Sequence, residues 1–154
     1  MFGLHYILLG VSNRAFAMVA REQFAWVWLV TMIVTYSVYF VAVAVLGDAP
    51  FWTQIGLFAG VSVAQILIIG TASVVIALRH REGQERDERD RAIEHRAAAV
   101  GYNVLIVGMI LVGCIMPFSH SGWSLFHGAV LMIALAEIVR HGLIVSMYRR
   151  GWHG

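Results

Sequence analysis

The sequence predicts an all-α integral membrane protein built as a bundle of four transmembrane helices, and three observations predict it. First, 60% of its 154 residues are hydrophobic and only 13% are charged, against roughly 25% charged in a soluble domain. Second, the apolar residues fall in four blocks, each long enough for the ~20 residues that cross a ~30 Å hydrocarbon core at ~1.5 Å per residue. Third, the arginines outside the blocks lie before the first, between the second and third and after the fourth, and the other two connections carry none. The blocks lack the alternation of a barrel strand, so the helix is the structure that satisfies their backbone in lipid.

The first span is expected over about 24–46. Gly47-Asp48-Ala49-Pro50 ends it, because Pro lacks an amide hydrogen and disfavours helix before it. The second is expected over 52–78. The third is expected over 97–116, where Pro117 stops it, and the fourth over 123–148, ahead of Arg149-Arg150-Gly151. Together they make one unit, 24–154. Residues 1–23 are too interrupted for a fifth span. Ser12 or Asn13 is expected to cap a short separate helix that carries Arg14 and Arg21 and lies on the inner leaflet. Tyr6 to Val11 followed by Ala15-Phe16-Ala17 imitates a signal peptide, but no Lys or Arg precedes it, so cleavage is not expected.

Orientation follows from charge. Arg14 and Arg21 precede the first span, and Arg79, Arg81, Arg86, Arg89, Arg91 and Arg96 lie between the second and third. Arg149 and Arg150 follow the fourth, and the other two connections carry only Asp48. The positive-inside rule then puts both termini and the 79–96 loop in the cytoplasm. Trp26, Trp28 and Trp152 mark the inner interface, and Trp52 and Trp123 the outer one. The short outer turns make each hairpin antiparallel, as in a four-helix bundle. A shift of 72 residues lays Ala64-Gln65-Ile66 on Ala136-Glu137-Ile138 and Gly70 on Gly142. Read as a parallel repeat, this places Gln65 and Glu137 at equal depth facing a common axis.

The fourth span holds the residues most foreign to a bilayer: His127, Glu137, Arg140 and His141. A charge at a helix centre costs about 2.5–3.5 kcal/mol, and ionisable residues within a span are candidate functional groups by default. Arg140 and His141, at i+3 and i+4, can both reach Glu137. The cluster is either a ligand or proton site or a self-neutralising packing device with Arg140 snorkelling inward. Gln65, Thr71 and Asn103 are the candidate partners from other helices. His127 and His141 share a face fourteen residues apart, a spacing that would suit haem, but no other span offers a core histidine, so no cofactor is expected.

Gly56, Gly60 and Ala64 form a small-residue stripe on the second span, and Gly101 and Gly108 a close-approach face on the third; internal helix packing is expected of both. The 79–96 loop balances six Arg against six acids, with Glu82–Arg86, Glu85–Arg89 and Asp87–Arg91 in the favourable helical order. Both flanking spans are expected to extend into it as helices. It is either a solvated, self-neutralised pair of helix ends or a docking surface, Arg86 to Arg91, for a soluble protein. Balanced charge argues against nucleic acid. Cys114 alone gives neither a disulfide framework nor a thiolate metal site. No phosphate loop, metal-ligand helix motif or nucleophile elbow is present.

The run Asp87-Glu88-Arg89-Asp90-Arg91-Ala92-Ile93-Glu94 and the ending Tyr148-Arg149-Arg150-Gly151 resemble those of small four-span bacterial membrane proteins of a domain-of-unknown-function family. Glu22 to Tyr39, with Trp28 and Thr35-Tyr36, is also similar. The resemblance implies the four-span fold and the bacterial inner membrane. It also implies a cytoplasmic partner, because such genes often lie beside small helix-turn-helix regulators. The expectation is therefore a non-enzymatic membrane regulator or scaffold. The alternatives are a subunit of a homo-oligomeric transporter or channel using the Glu137 cluster, and a haem or quinone protein.

Overall fold

A computed structural model describes residues 3–79, 88–120 and 122–150, and of residues 3–20 the backbone alone. Among the described residues there are four α-helices: α1 (Gly3–Leu46), α2 (Phe51–Arg79), α3 (Glu88–Ile110) and α4 (Trp123–Arg149). Four stretches among these residues are long and apolar enough to cross a membrane: Arg21–Leu46, Phe51–Arg79, Glu88–Phe118 and Trp123–Arg149. No strand occurs among the described residues. The four spans expected from the sequence are present within a few residues at most ends.

The turns explain the ends. Gly47 takes φ +55° and its N–H bonds the carbonyl of Val43 at 3.1 Å, a left-handed cap that only glycine adopts without strain. Pro50 then starts α2 by accepting from the amides of Thr53 and Gln54. Pro117 acts differently from a simple stop. With no N–H, it leaves the carbonyl four residues earlier without its helical donor. The chain responds with a π-turn at Leu111–Ile115 and a 3-10 turn at Met116–Phe118. Regular α3 thus ends at Ile110, and the span continues to Phe118 in altered register.

One expectation is corrected and another is met. The N-terminal segment is not a separate short helix capped at Ser12 or Asn13, since α1 runs unbroken from Gly3 to Leu46. No Gly or Pro lies between Val11 and Leu46 to interrupt it. The third helix begins at Glu88, nine residues ahead of Ala97, as the expected extension of that span into the charged loop requires.

The helices pack in the order α2, α1, α4, α3. One end carries Arg21, Asp90 and Arg149 and is here the Arg end; the other is the hairpin end. A third of the α4 span is buried within the chain, against about a tenth of α1 and α2, so α4 is the hub. A two-fold repeat that pairs α1 with α4 would equally pair α3 with α2. Among the described residues that second packing is not comparably made, and α2 stays at the rim.

The Gly101–Gly108 face does what its spacing predicts. A Cβ on Gly101 would stand 3.0 Å from the Arg140 Cβ, and one on Gly108 2.6 Å from the Met132 Sδ. Gly56, Gly60 and Ala64 do not. A Cβ on either glycine meets nothing within 4 Å, and all three residues are exposed. The buried positions of α2 are Gln54, Gln65 and Ile69, on the opposite face. The stripe therefore looks away from the bundle, because the polar glutamines, not the glycines, turn toward α1.

Candidate functional site

Polar side chains within the spans gather at three depths. At the Arg end, Asp90 is 5% exposed. Its two oxygens accept from the Arg21 guanidinium at 2.7 Å and from the Tyr148 hydroxyl at 2.9 Å. One carboxylate thus ties α1, α3 and α4 together over an apolar cluster of Ala25, Ile93, Ala97, Ile144, Val145 and Tyr148. Beside it Arg149 lies 3.8 Å from Glu22 and 5.0 Å over the ring of Trp26.

This latch corrects the reading of the charged run. Asp90 belongs to the interior, because Ile93 and Ala97, at i+3 and i+7, share its face and are buried. Arg89 is half-buried, while Glu88, Arg91 and Glu94 remain exposed. Arg86 and Asp87 lie outside the described residues.

Midway along α4, Glu137, Arg140 and His141 come together as their spacing requires. Glu137 lies 3.7 Å from the Arg140 guanidinium and 3.4 Å from His141 Nδ1. His141 Nδ1 also lies 3.0 Å from the Glu137 backbone carbonyl, so it is an N–H donating to the preceding turn. The imidazole is buried and stacks on Trp28 at 5.1 Å. The other two residues face a half-open cavity of about 280 Å³ between α3 and α4, walled by Ala98, Gly101, Tyr102, Leu105 and Ala136. The close approach at Gly101 brings the helices together there. Arg140 Nε is buried without a hydrogen-bond partner.

None of the three expected partners from other helices joins the cluster. Asn103 sits at a similar depth, but two residues from the buried Gly101 is about 200° around the helix, and its side chain is exposed. Gln65 is buried on the inward face of α2, with neither amide atom hydrogen-bonded. Thr71 is exposed on the outward face of α2.

At the hairpin end, His127 bridges three helices. Tyr39, fully buried, places its hydroxyl 2.7 Å from His127 Nδ1, and His127 Nε2 lies 3.0 Å from Gln54 Oε1. Gln54 Nε2 donates to the carbonyl of Ala49 at 2.9 Å. That last bond fixes the direction of the rest: Nε2 of His127 donates to Gln54, and Nδ1 accepts from Tyr39. Trp123 stacks on the ring and Phe126 meets it edge-on. A neutral histidine with both nitrogens engaged is a structural bridge, and it offers no free nitrogen to a haem iron. Among the described residues, no three His, Cys, Asp or Glu side chains converge as metal ligands.

Sequence reasoning missed Tyr39, Gln54, Arg21, Tyr148 and Trp28. Tyr39 was findable, since Ala25, Met32 and Tyr39 repeat at seven residues and all are buried. Gln54 had a weaker signal, as a second amide on the face of Gln65 eleven residues away.

No curated protein and no solved structure matches the chain. A family model does match it, over residues 20–152, which takes in all four spans and the Arg-end latch. The chain belongs to the family described as predicted membrane protein DUF2178.

Proposed function

We propose that this membrane protein is a non-enzymatic regulator whose Arg end faces the cytoplasm and binds a soluble protein there. The resemblance implies a small helix-turn-helix regulator as the partner class. One observation carries the reading: α3 joins the half-open cavity to the charged run directly. Gly101 and Leu105 wall the cavity, and Asp90, three turns away on the same helix, is latched to Arg21 and Tyr148. A change in how α3 seats on α4 at the cavity would act on the latch and on the exposed Glu88, Arg91 and Glu94 beside it, which is the two-packing logic of a switch. In this reading the protein resides in a bacterial inner membrane, holds no cofactor and catalyses no reaction.

The test is co-purification from membranes. Replacing Glu88, Arg91 and Glu94 by Ser leaves Asp90 and its latch intact. A soluble protein recovered with the wild type is expected to be lost from the variant, and undiminished recovery would overturn the reading.

The cavity itself favours a second reading, a subunit of a homo-oligomeric transporter or channel, since Glu137 and Arg140 line an opening rather than a sealed core. Solute flux into liposomes that falls with Glu137→Gln would support it. A regulator gives no flux in either form.

A further inference from the structure

Asn103 is the middle residue of its span, fifteen residues from Glu88 and fifteen from Phe118. It faces away from the bundle. Gly101, on the inward side of α3, packs on Ala136 and Arg140, whereas Asn103 and its outward neighbours Ala99, Ile106 and Ile110 are exposed. Among the described residues its carboxamide finds no hydrogen-bond partner. A carboxamide in hydrocarbon with nothing to bond costs several kcal/mol. Arg140 can reach toward the surface on its long stem, but the short Asn side chain cannot cross the ~22 Å to either end of the span. The helix backbone does not absorb it either, since the carboxamide makes no bond to a carbonyl of the preceding turn.

We infer that Asn103 is the contact point of a homodimer in which α3 packs against α3 of a second copy. A second copy suits the chemistry better than any other occupant. The carboxamide carries one acceptor and two donor hydrogens, so it is complementary to itself. A two-fold axis along the membrane normal brings Asn103 of both copies to the same depth, where each amide donates to the other. Ala92 and Ala99, exposed on that face toward the Arg end, let the helices approach. Ile106 and Ile110, exposed toward the hairpin end, supply apolar contact. Arg96, near the same face, is already engaged within its own chain and lies about 10 Å toward the surface. This dimer does not depend on the regulator reading, because it concerns contact within the bilayer rather than at the Arg end.

The full-length protein would be reconstituted into phosphatidylcholine vesicles at decreasing protein-to-lipid ratio, and copies per particle counted by stepwise photobleaching. The wild type is expected to show two-step particles that dissociate on dilution. Asn103→Leu, which keeps the span apolar and foldable, should weaken association about tenfold, and Asn103→Gln should restore most of it, as amide bonding between membrane helices requires. A cysteine at Ala99, in a Cys114→Ser background, should form a disulfide between copies, and one at Gly56 should not. A wild type monomeric at every dilution, or Asn103→Leu dimers as tight as wild type, would overturn the inference.

Discussion

A buried amide that bonds to nothing costs about 1–3 kcal/mol in a protein interior, and Gln65 has both its nitrogen and its oxygen in that state. An apolar residue of similar shape removes the cost without opening a cavity. Gln65→Leu is therefore expected to raise stability by about 1–2 kcal/mol, read as a higher midpoint of thermal unfolding in detergent. A lowered midpoint would mean that the amide is bonded in the membrane. The opposite holds for Tyr39. Its hydroxyl satisfies His127 Nδ1 within a chain that ends at the Ala49 carbonyl. Tyr39→Phe keeps the ring packing against Phe40 and Phe58 but leaves a buried acceptor bare, so it should lower the same midpoint by about 1–2 kcal/mol of stability. The two glutamines of α2 thus differ in kind, though their sequence contexts are alike: Gln54 is bonded at both ends of its amide and Gln65 at neither.

Among the elements, the contrast between α2 and α3 shows what glycine spacing can and cannot reveal. Both helices carry small residues at helical intervals, and only those of α3 touch a neighbour. Gly101→Val would drive its branch into the Arg140 Cβ and the Ala136 carbonyl, 3.0 and 3.1 Å from the position of a Cβ. Those are main-chain and stem atoms that cannot swing aside. A cost of about 2–3 kcal/mol is expected. Gly60→Ala meets open space and should be neutral or stabilising by about 0.5–1 kcal/mol. Urea unfolding in mixed micelles would compare them, and equal costs would mean that α2 also packs through its glycines. The spans themselves were legible because their length, apolar content and turn residues are local properties. Pairing and azimuth were not. Nothing local to Asn103 says that it faces lipid, and Asp90 reads as one more charge in a solvated run until Ile93 and Ala97 are recognised as sharing its buried face.

At the scale of the molecule, an open row with α4 at its hub is closed at the Arg end by a single carboxylate. Three helices meet at Asp90. The ion pairs of the Glu137 cluster stay within α4, and the His127 bridge leaves α3 out. Removing the carboxylate leaves the Arg21 charge with a fifth of its side chain exposed and the Tyr148 hydroxyl without its acceptor. Breaking one partner of a buried pair costs about 3–5 kcal/mol. The partial exposure of Arg21 puts Asp90→Ala at the low end, about 3 kcal/mol. Arg21→Met alone should cost less, because Asp90 keeps its bond from Tyr148. If the latch acts as a unit, the double variant should be more stable than the sum of the two losses implies, by about 1 kcal/mol or more. Strict additivity would mean that the ion pair contributes nothing of its own and that the apolar cluster beneath it holds the three helices. Because Asp90 lies at the start of the helix that also walls the cavity, the same cycle measures how firmly the Arg end is held in one packing. That firmness sets how much free energy any occupant of the cavity must supply to move it.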